Sequence, residues 1–518
     1  MTKLNLTKAA LLAATALISA TSARAQVADS WDLSPSDITV TSTNTGGSAT
    51  VTLDSTTVGG LGITGADILD GYKNSISTAA VGSSASSSVN TFNNAGAGTN
   101  VSTMDFTAQS LTVVSGNDSA VTLNGDIAGG AHIGKDALSD GNSISVAAVG
   151  SSASGSATFT AAGGSEVGQD TYTVGAVTIS NGDGAADPGT IDPTVGGNIA
   201  DVLVNLATGI ATPTIDDGNA NSISVAGVGA SSSFSLANVT EGDGATLDVS
   251  SFAQNDALSV TASNTGNVSV GVGDTAGGQE NALVDTAQIL AGNGNSISIA
   301  GVGASASTSL TDTTFNGAVG AAEADFVIGG TSGGVTVASA NLTTDVGVSV
   351  SADSNAPSIG GGNSNSISVA GVGSSGSLSI TNAIYDGSAG PAAVVVAVGG
   401  DVAIGSTNTS AVTVNSSITD SANIAQGSSN SISVAGVGAS ASGSFTTTAY
   451  GETGSGLSAT SGTFTGALGI TASNTGVVAV NTGLNTPSIS TGYNNSISAA
   501  AVGSSASQSV TQNILLPN

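Results

Sequence analysis

The sequence predicts an all-β protein, namely a repetitive β-solenoid of stacked parallel β-strand layers. Three observations lead to this fold class. One short motif recurs seven times along the 518 residues. Within it, apolar residues alternate with small polar ones, which is the pattern of a half-buried strand. Aromatic residues make up only 3% of the chain, and cysteine is absent. One such unit cannot bury its apolar face alone, but neighbouring copies can cover it from both sides.

Residues 1–25 have the features of a secretory signal peptide. Lys3 and Lys8 give a basic start, a short apolar run follows at 9–20, and A-R-A at 23–25 fits the small-x-small cleavage pattern. The apolar run is too short to span a bilayer. We therefore expect cleavage before Gln26 and a secreted or cell-surface protein of a Gram-negative bacterium. An amphipathic helix that stays on the protein is the alternative.

Seven repeats of about 65–79 residues are predicted to fill the chain from 38 to 513, between a head (26–37) and a tail (514–518). The head holds Trp31, the only tryptophan, which we expect to cap the open end of the solenoid because terminal units need covering. An exposed contact for a partner is the other interpretation. No later run is apolar and long enough for a membrane helix, so separate export and anchoring proteins are expected.

The strong motif, typified by N-S-I-S-V-A-G-V-G-A-S-S-S at 221–233, always begins with asparagine. Ile223 and Val225 share one face of a strand in this copy. The alternation shifts by one residue at Ala226-Gly227, and glycine at such a shift predicts a bulge or a corner between two strands. The strong-motif asparagines are Asn74, Asn142, Asn221, Asn295, Asn365, Asn430 and Asn495.

A weak motif precedes each strong one and holds a polar asparagine inside a strand-like run, as in I-T-V-T-S-T-N-T-G at 38–46. Its N-T-G triplets predict a turn or bulge. An I-x-x-G corner follows the weak motif. The weak-motif asparagines are aligned as Asn44, Asn117, Asn181, Asn264, Asn341, Asn408 and Asn474. The corner pairs are Ile68/Gly71, Ile215/Gly218, Ile289/Gly292, Ile359/Gly362, Ile424/Gly427 and Ile489/Gly492, with Leu138/Gly141 aligned in the second repeat.

Two arrangements of the repeat fit this spacing. If each unit forms one layer, equivalent asparagines lie about 4.8 Å apart and form two ladders, because an amide both donates and accepts. If each unit winds through two or three coils, the ladders do not form. A rival fold is a string of seven small sandwich domains. We favour the solenoid, because small domains need a sizeable hydrophobic core and the core candidates here are mostly Val, Ile and Ala.

The charge of the chain excludes several classes of partner. The net charge is −30, and after residue 25 only Lys73 and Lys135 are basic, against 35 acidic residues. Nucleic-acid binding needs basic groups that displace counterions from phosphates, and attraction to an anionic membrane surface needs them too. We expect neither partner. The acidity is interpreted as a means of solubility, since like-charged chains repel one another.

The sequence holds few groups for catalysis or metal binding. His132, the only histidine, is interpreted as a solvated loop residue, and no Ser-His-Asp set stands apart from the repeat. We expect that the protein is not an enzyme and has no cofactor, although paired carboxylates on a β-helix could hydrolyse polysaccharide. Calcium is the one ion considered, because acidic residues precede three strong motifs in glycine-containing turns. These residues are Asp70, Asp140, Asp216 and Asp217.

The N-S-I-S and N-T-G segments, the signal peptide and the Ser/Gly/Ala/Asn-rich composition together resemble the secreted functional-amyloid subunits of curli and Fap fibres. The likeness extends over most of the chain after residue 25. The repeat spacing is longer here, the regularly placed Gln of curlin repeats is missing, and Asn is the main amide. The resemblance implies a role in fibres, biofilm matrix or adhesion.

Two functions follow from these expectations. The first is a structural subunit of an extracellular or cell-surface fibre or matrix, a homopolymer in which strand edges at the solenoid ends pair head to tail. The second is a monomeric rod-like adhesin that binds a surface or glycan through the variable loops between motifs. A polysaccharide-degrading enzyme is the third and has the least support from the residues.

Overall fold

The computed structural model is a solenoid of parallel β-strands, as the sequence predicts. Each repeat forms one coil, and consecutive coils pair residue by residue, so the seven units are layers of one stack and not separate domains. None of the described residues forms a helix that is long and apolar enough to cross a membrane. The structure describes residues 30–33, 37–44, 51–54, 66–68, 71–95, 103–125, 131–134, 140–164, 170–181, 197–206, 214–243, 250–254, 256–271, 287–316, 323–328, 333–351, 357–386, 393–416, 422–451, 459–464, 466–481 and 487–515.

A coil consists of five strand segments, of which the first two merge into one strand in coils 2 and 3. Coil 1 has β1 (Ser30–Leu33), β2 (Asp37–Asn44), β3 (Val51–Asp54), β4 (Ala66–Ile68) and β5 (Ser75–Ala95). Coil 2 has β6 (Thr103–Asn117), β7 (Val121–Gly125), β8 (Ala131–Ile133) and β9 (Ser143–Gly164). Coil 3 has β10 (Asp170–Asn181), β11 (Val202–Leu206), β12 (Thr214–Ile215) and β13 (Ser222–Asp243).

The last four coils repeat the five-segment pattern. Coil 4 has β14 (Ser250–Gln254), β15 (Leu258–Asn264), β16 (Val268–Gly271), β17 (Gln288–Ile289) and β18 (Ser296–Asn316). Coil 5 has β19 (Glu323–Ile328), β20 (Val335–Asn341), β21 (Val346–Ser351), β22 (Ser358–Ile359) and β23 (Ser366–Asp386). Coil 6 has β24 (Ala393–Val398), β25 (Val402–Asn408), β26 (Val412–Ser416), β27 (Asn423–Ile424) and β28 (Ser431–Gly451). Coil 7 has β29 (Ala459–Phe464), β30 (Leu468–Asn474), β31 (Val478–Asn481), β32 (Ser488–Ile489) and β33 (Ser496–Leu515).

Equivalent strands align into four parallel sheets that run through the stack. The long-strand sheet orders β5, β9, β13, β18, β23, β28 and β33. The middle sheet orders β3, β7, β11, β16, β21, β26 and β31, and the short-strand sheet orders β4, β8, β12, β17, β22, β27 and β32. The twelve-stranded sheet contains the first two segments of every coil.

Two apolar cores run through the stack side by side. The first core lies between the middle sheet, the short-strand sheet and the first half of the long strands; in coil 4 it includes Ile289 and Ile297. The second core lies between the second half of the long strands and the twelve-stranded sheet; in coil 4 it includes Leu258 and Leu310. Each interior coil is covered on both sides, which buries these β-branched and leucine side chains. The second core also holds three phenylalanines, Phe159, Phe234 and Phe445.

Each long strand crosses from the first core to the second as one continuous strand. In coil 3, Ile223 faces the first core and Ala230 faces the second. The alternation of inward and outward side chains shifts by one residue at Gly229. The shift predicted at Ala226-Gly227 is therefore wrong by two residues, and Val228 faces outward. The weak-motif triplet N-T-G, in contrast, forms a turn as predicted, for example between β15 and β16.

The boundaries of the repeat differ from the prediction at both ends. β1 lies within the expected head (26–37) and pairs with β6, Trp31 opposite Met104, in the position that β14 holds in coil 4. β33 extends to Leu515, into the expected tail (514–518). Coil 1 therefore begins at β1, the first segment of the twelve-stranded sheet, and not at Ile38 as predicted. The capping role of Trp31 stays a prediction.

Candidate functional site

A ladder of buried asparagines lies between the two cores, and we call it the inner ladder. Nδ2 of each member but the last donates to Oδ1 of the next member over 2.6 to 2.9 Å. Asn264, which is fully buried, also donates to the carbonyl oxygen of Gly266 at 2.7 Å. The amide therefore satisfies its donors and its acceptor inside an apolar environment. The members are Asn44, Asn117, Asn198, Asn264, Asn341, Asn408 and Asn474.

The third coil contributes Asn198 to the inner ladder, so the alignment of Asn181 with the other weak-motif asparagines is wrong. Asn181 ends β10 opposite Ser115, two residues before the ladder position of coil 2. Its Oδ1 accepts from Oγ of Ser151 at 2.7 Å. Residues 182–196 intervene and lie outside the described part of the chain. A signal for the correct alignment was present: a valine follows Asn198 by four residues, as it follows Asn264, but none follows Asn181 at that distance.

The strong-motif asparagines form a second ladder, the corner ladder, where each long strand begins. The backbone N–H of each residue, from Asn74 to Asn430, donates to Oδ1 of the equivalent residue in the next coil over 2.8 to 2.9 Å. Nδ2 reaches the previous coil, as Asn295 does when it donates to the carbonyl oxygen of Gly218 at 2.9 Å. Gly218 has a φ of +99°, which favours glycine. The I-x-x-G corner and the strong motif thus act as one hydrogen-bonded unit.

The second coil departs from the predicted I-x-x-G alignment. Ile133 pairs with Ile68 and Ile215 in the short-strand sheet, so it takes the position that the sequence assigned to Leu138. Leu138 itself lies outside the described residues. His132 belongs to β8, with its backbone opposite Thr214, and is not a loop residue as predicted. Ile133 and Asn142 are nine positions apart, whereas Ile68 and Asn74 are six apart, so three additional residues in the second coil shifted the sequence alignment.

The bend of each long strand packs against the inner ladder. A Cβ atom at Gly229 would lie 2.4 Å from Oδ1 of Asn264 and 2.6 Å from the carbonyl oxygen of Gly303. The same approach, 2.4 to 2.6 Å from an inner-ladder amide, occurs at Gly82, Gly150, Gly303, Gly373 and Gly438. The glycine of the strong motif and the asparagine of the weak motif are therefore paired parts of one structural feature.

The outward side of the long-strand sheet repeats more strictly than its inward side. In coil 3 the outward residues include Ser224, Ala226 and Val228, and each has the same residue type in all seven coils. Several inward positions vary, for example Val225, which is replaced by Thr, Ile or Ala in other coils. Four further outward positions, Ser222, Ser231, Ser233 and Ser235, are also serine in every coil. From the position of Ser222 to that of Ser235, this outer face thus carries no charge in a chain of net charge −30.

Both ends of the stack present strand edges that no described strand covers. Coil 1 and coil 7 hold the terminal strands of each sheet. Seven of the eleven large apolar side chains exposed in the described part of the chain belong to these two coils. Ile489 in coil 7 is 44% exposed, whereas its counterparts Ile359 and Ile424 are fully buried. Interior isoleucines are covered from both sides, and coil 7 is covered from one side only.

The described residues hold no cluster of three His, Cys, Asp or Glu side chains. Of the calcium candidates, Asp70 lies outside the described residues. Asp140 accepts hydrogen bonds from the backbone N–H (2.8 Å) and Nδ2 (3.1 Å) of Asn219, and Asp217 accepts from the N–H of Gly218 at 2.7 Å. Asp216 lies beside Asp217 in the same turn. The carboxylates of Asp140 and Asp217 thus act as hydrogen-bond acceptors in turns.

One carboxyl group is buried in the second core. Burial raises the pKa of Asp312 from 3.8 to about 6, and a hydrogen bond from Nδ2 of Asn238 at 2.9 Å partly offsets this rise. Its Oδ2 atom has no hydrogen-bond partner among the described residues. Asn238 and Asn382 occupy the same position in the coils on either side. The amides of these two asparagines are the neighbours of Asp312 in the stack, and its buried carboxyl group affects the stability of the fold.

Comparison with protein-family models, with curated proteins and with solved structures found no match.

Proposed function

We propose that the chain is an exported structural subunit of an extracellular or cell-surface fibre, a homopolymer in which the coil 7 edge of one copy pairs with the coil 1 edge of the next. The observation that carries the proposal is the 44% exposure of Ile489, whose six counterparts are at most 5% exposed. One further coil would bury it. Because the two ends of the stack differ, such pairing does not close and extends into a filament.

The same edges offer backbone hydrogen bonds. The N–H of Ser496 donates to the carbonyl oxygen of Asn430 in coil 6, so alternate residues of β33 direct their N–H toward coil 6 or away from it. Ala499 directs its N–H away, toward an incoming strand. Like-charge repulsion between copies opposes assembly and is screened by salt. We therefore expect filaments to assemble faster at higher ionic strength.

The proposal places the protein outside the cell, delivered and anchored by separate proteins. It assigns the chain no enzymatic activity, no cofactor, no nucleic-acid partner and no membrane span. Its partner is a second copy of the same chain.

The test is electron microscopy and sedimentation of the chain 26–518 at rising concentration. We expect filaments of one coil width. Ala499→Pro removes an edge donor without removing a bond to coil 6, and it should stop elongation. Ala499→Val is the matched control, because it keeps the N–H and copies Val434 of coil 6. Discrete particles at every concentration and salt level would overturn the proposal.

A second candidate is a rod-like adhesin, and the outer face of the long-strand sheet favours it more than the loops do. Seven outward positions keep one residue type in all coils, although outward residues carry little of the packing. A flat, uncharged array of hydroxyl and methyl groups suits an extended neutral glycan, whose hydroxyl groups both donate and accept.

The adhesin candidate is tested with the non-elongating Ala499→Pro chain and an insoluble neutral polysaccharide such as cellulose. Retention that is lost on Ser298→Lys plus Ser368→Lys, but kept on substitution of exposed Asn293→Lys at the corner, would support it. Equal recovery in the supernatant for all three chains would exclude this face as a binding site for that polysaccharide.

A further inference from the structure

The position two residues before each strong-motif asparagine is exposed and differs between interior and terminal coils. In the interior its side chains form a polar ladder: Oδ1 of Asp140 accepts from the N–H of Asn219, and this pattern continues through Asn293 and Asn363 to the N–H of Ser428 over 2.8 to 3.1 Å. The two terminal coils instead carry tyrosine. Tyr72 is 61% exposed and Tyr493 is 80% exposed.

Both tyrosines are in register with the stack through their backbones. Tyr72 forms a parallel bridge with Asp140, and the carbonyl oxygen of Tyr493 accepts from the N–H of Ser429 at 2.8 Å. A further coil in register above Tyr493 would place its equivalent residue about one strand spacing away, about 4.8 Å.

The chain itself shows what two tyrosines do at equivalent positions of adjacent coils. Tyr385 and Tyr450 are paired residues of β23 and β28. Their ring centroids are 5.0 Å apart and their planes differ by 4°. The strand spacing therefore imposes a stacked pair, an arrangement that contributes beyond simple apolar burial.

The long strands of the terminal coils also match one another. Segments 74–89 and 495–510 are identical at 14 of 16 positions, whereas 495–510 and its neighbour in the stack, 430–445, are identical at 11. Where they join in register, Ile497 would lie over Ile76 and Val510 over Val89. The two exposed ends are thus more alike in sequence than adjacent coils inside the stack.

We infer that successive copies join by in-register continuation of the coil stack, with Tyr493 of one copy stacked on Tyr72 of the next. This inference rests on the proposed function, since it specifies the junction of the proposed filament. The junction repeats the contact that adjacent coils already make inside the chain. A second copy of the chain is therefore the partner that fits each end.

Cysteine cross-linking tests the register, because the chain has no cysteine of its own. Tyr72→Cys and Tyr493→Cys chains are prepared separately, mixed, assembled and oxidised. In-register parallel neighbours have a Cα separation that a disulfide can bridge. We expect dimers in the mixture and none from either chain alone. Tyr72→Cys mixed with Val477→Cys is the control, because Val477 is 69% exposed on coil 7 but lies in another turn.

The outcomes separate the inference from the proposed function. Filaments that cross-link only in the mixture support both. Filaments without this cross-link, or with cross-links between two Tyr493→Cys chains, overturn the junction and leave the fibre proposal standing. Absence of filaments in the unsubstituted chain overturns the fibre proposal itself.

A second variant set tests the stacked rings. Tyr493→Ala is expected to raise the critical concentration for assembly about tenfold, and Tyr493→Phe to leave it nearly unchanged because the stacking surface remains. Tyr450→Ala removes a stack inside the chain and should not change the critical concentration. Equal critical concentrations for Tyr493→Ala and Tyr450→Ala would overturn the stacking part of the inference.

Discussion

Asparagine is the residue that holds the coils in register. Its amide carries donors and an acceptor on one short side chain, so a stack of identical residues can satisfy every member. The inner ladder does this with side chains alone, and the corner ladder combines a side-chain oxygen with a backbone N–H. Burial makes these bonds matter, because a buried amide that loses its partner keeps its desolvation cost.

Replacement of Asn264 by alanine is expected to lower the free energy of unfolding by about 3 kcal/mol, because Asn198 and Asn341 each lose a buried partner. Urea unfolding of the non-elongating Ala499→Pro chain measures this change. Asn267→Ala in the same coil is the control. It removes the bond from Nδ2 to Asp201 and the bond that Oδ1 accepts from the N–H of Asp345, but at an exposed site, and should cost less than about 1 kcal/mol. Equal losses would contradict the role of burial.

Asp312 makes the stability of the chain depend on pH. The folded pKa of about 6 exceeds the ordinary value of 3.8. Below pH 3.8 the carboxyl is neutral in both states and costs nothing. As pH rises from about 4 to about 6, the carboxyl group ionises in the unfolded chain before it ionises in the folded chain. The free energy of unfolding therefore falls over this range. About two pKa units correspond to about 3 kcal/mol.

Asp312→Asn is therefore expected to stabilise the chain at pH 7 by up to about 3 kcal/mol and to have little effect at pH 3.5. Asparagine is already present at this position in coils 3 and 5. Thermal unfolding at several pH values measures the difference, with the exposed Asp118→Asn as control. A difference in unfolding temperature between Asp312→Asn and the parent chain that is the same at every pH would refute the raised pKa of Asp312.

The long strand is the element that joins the two cores. Its first half supplies isoleucine and valine to the first core, and its second half supplies small and apolar residues to the second. The strand changes face at a glycine because the inner ladder occupies the space of a side chain there. A local packing requirement, and not a loop, therefore sets where the strand bends.

Gly229→Ala is expected to destabilise the chain strongly, by about 3 kcal/mol, because the new Cβ would meet both Asn264 and the backbone of Gly303. Gly405→Ala is the control. It lies in β25, and its nearest neighbour would be the Cβ of Ala338 at 3.9 Å, so alanine should be neutral or slightly stabilising. Similar unfolding midpoints for the two variants would show that the bend does not depend on glycine.

At the scale of the whole molecule, stability is a sum of coils and of contacts between neighbouring coils. The described strands pair with the preceding and following coils. Within the described residues, the terminal units differ from the interior ones in the tyrosine two positions before the strong-motif asparagine and in a larger number of exposed apolar residues. Such an arrangement tolerates a change in the number of coils but not a change in the length of one coil's strands.

Deletion of 366–430 should leave a folded solenoid of six coils, because it joins Asn365 to Ser431 and restores the N-S-I-S sequence. We expect unchanged β-structure per residue by circular dichroism and a modestly lower unfolding temperature. Deletion of 366–397 is the control. It removes the long strand of coil 5, so coil 6 has no long strand to pair with and coils 6 and 7 should not fold. If both deletions unfold the chain, the nearest-neighbour account is wrong.

The sequence by itself determined the repeat, the strand character and the fold class, because the alternation of apolar residues and the recurrence of Asn-Ser-Ile-Ser are local properties of the chain. It also located the corner-ladder asparagines, which lie in a motif without insertions. The exposed ends of the stack were predicted only in kind, since the exposure of Tyr72, Ile489 and Tyr493 depends on which strands are covered.

The tertiary structure decided the number of coils per repeat, the bend at Gly229 and the membership of Asn198 in place of Asn181. These depend on which residues lie over one another in adjacent coils, and an insertion of any length between two motifs changes the sequence alignment without changing that stacking. The position of an asparagine in a ladder is fixed by the partners above and below it, and those partners are 65 or more residues away along the chain.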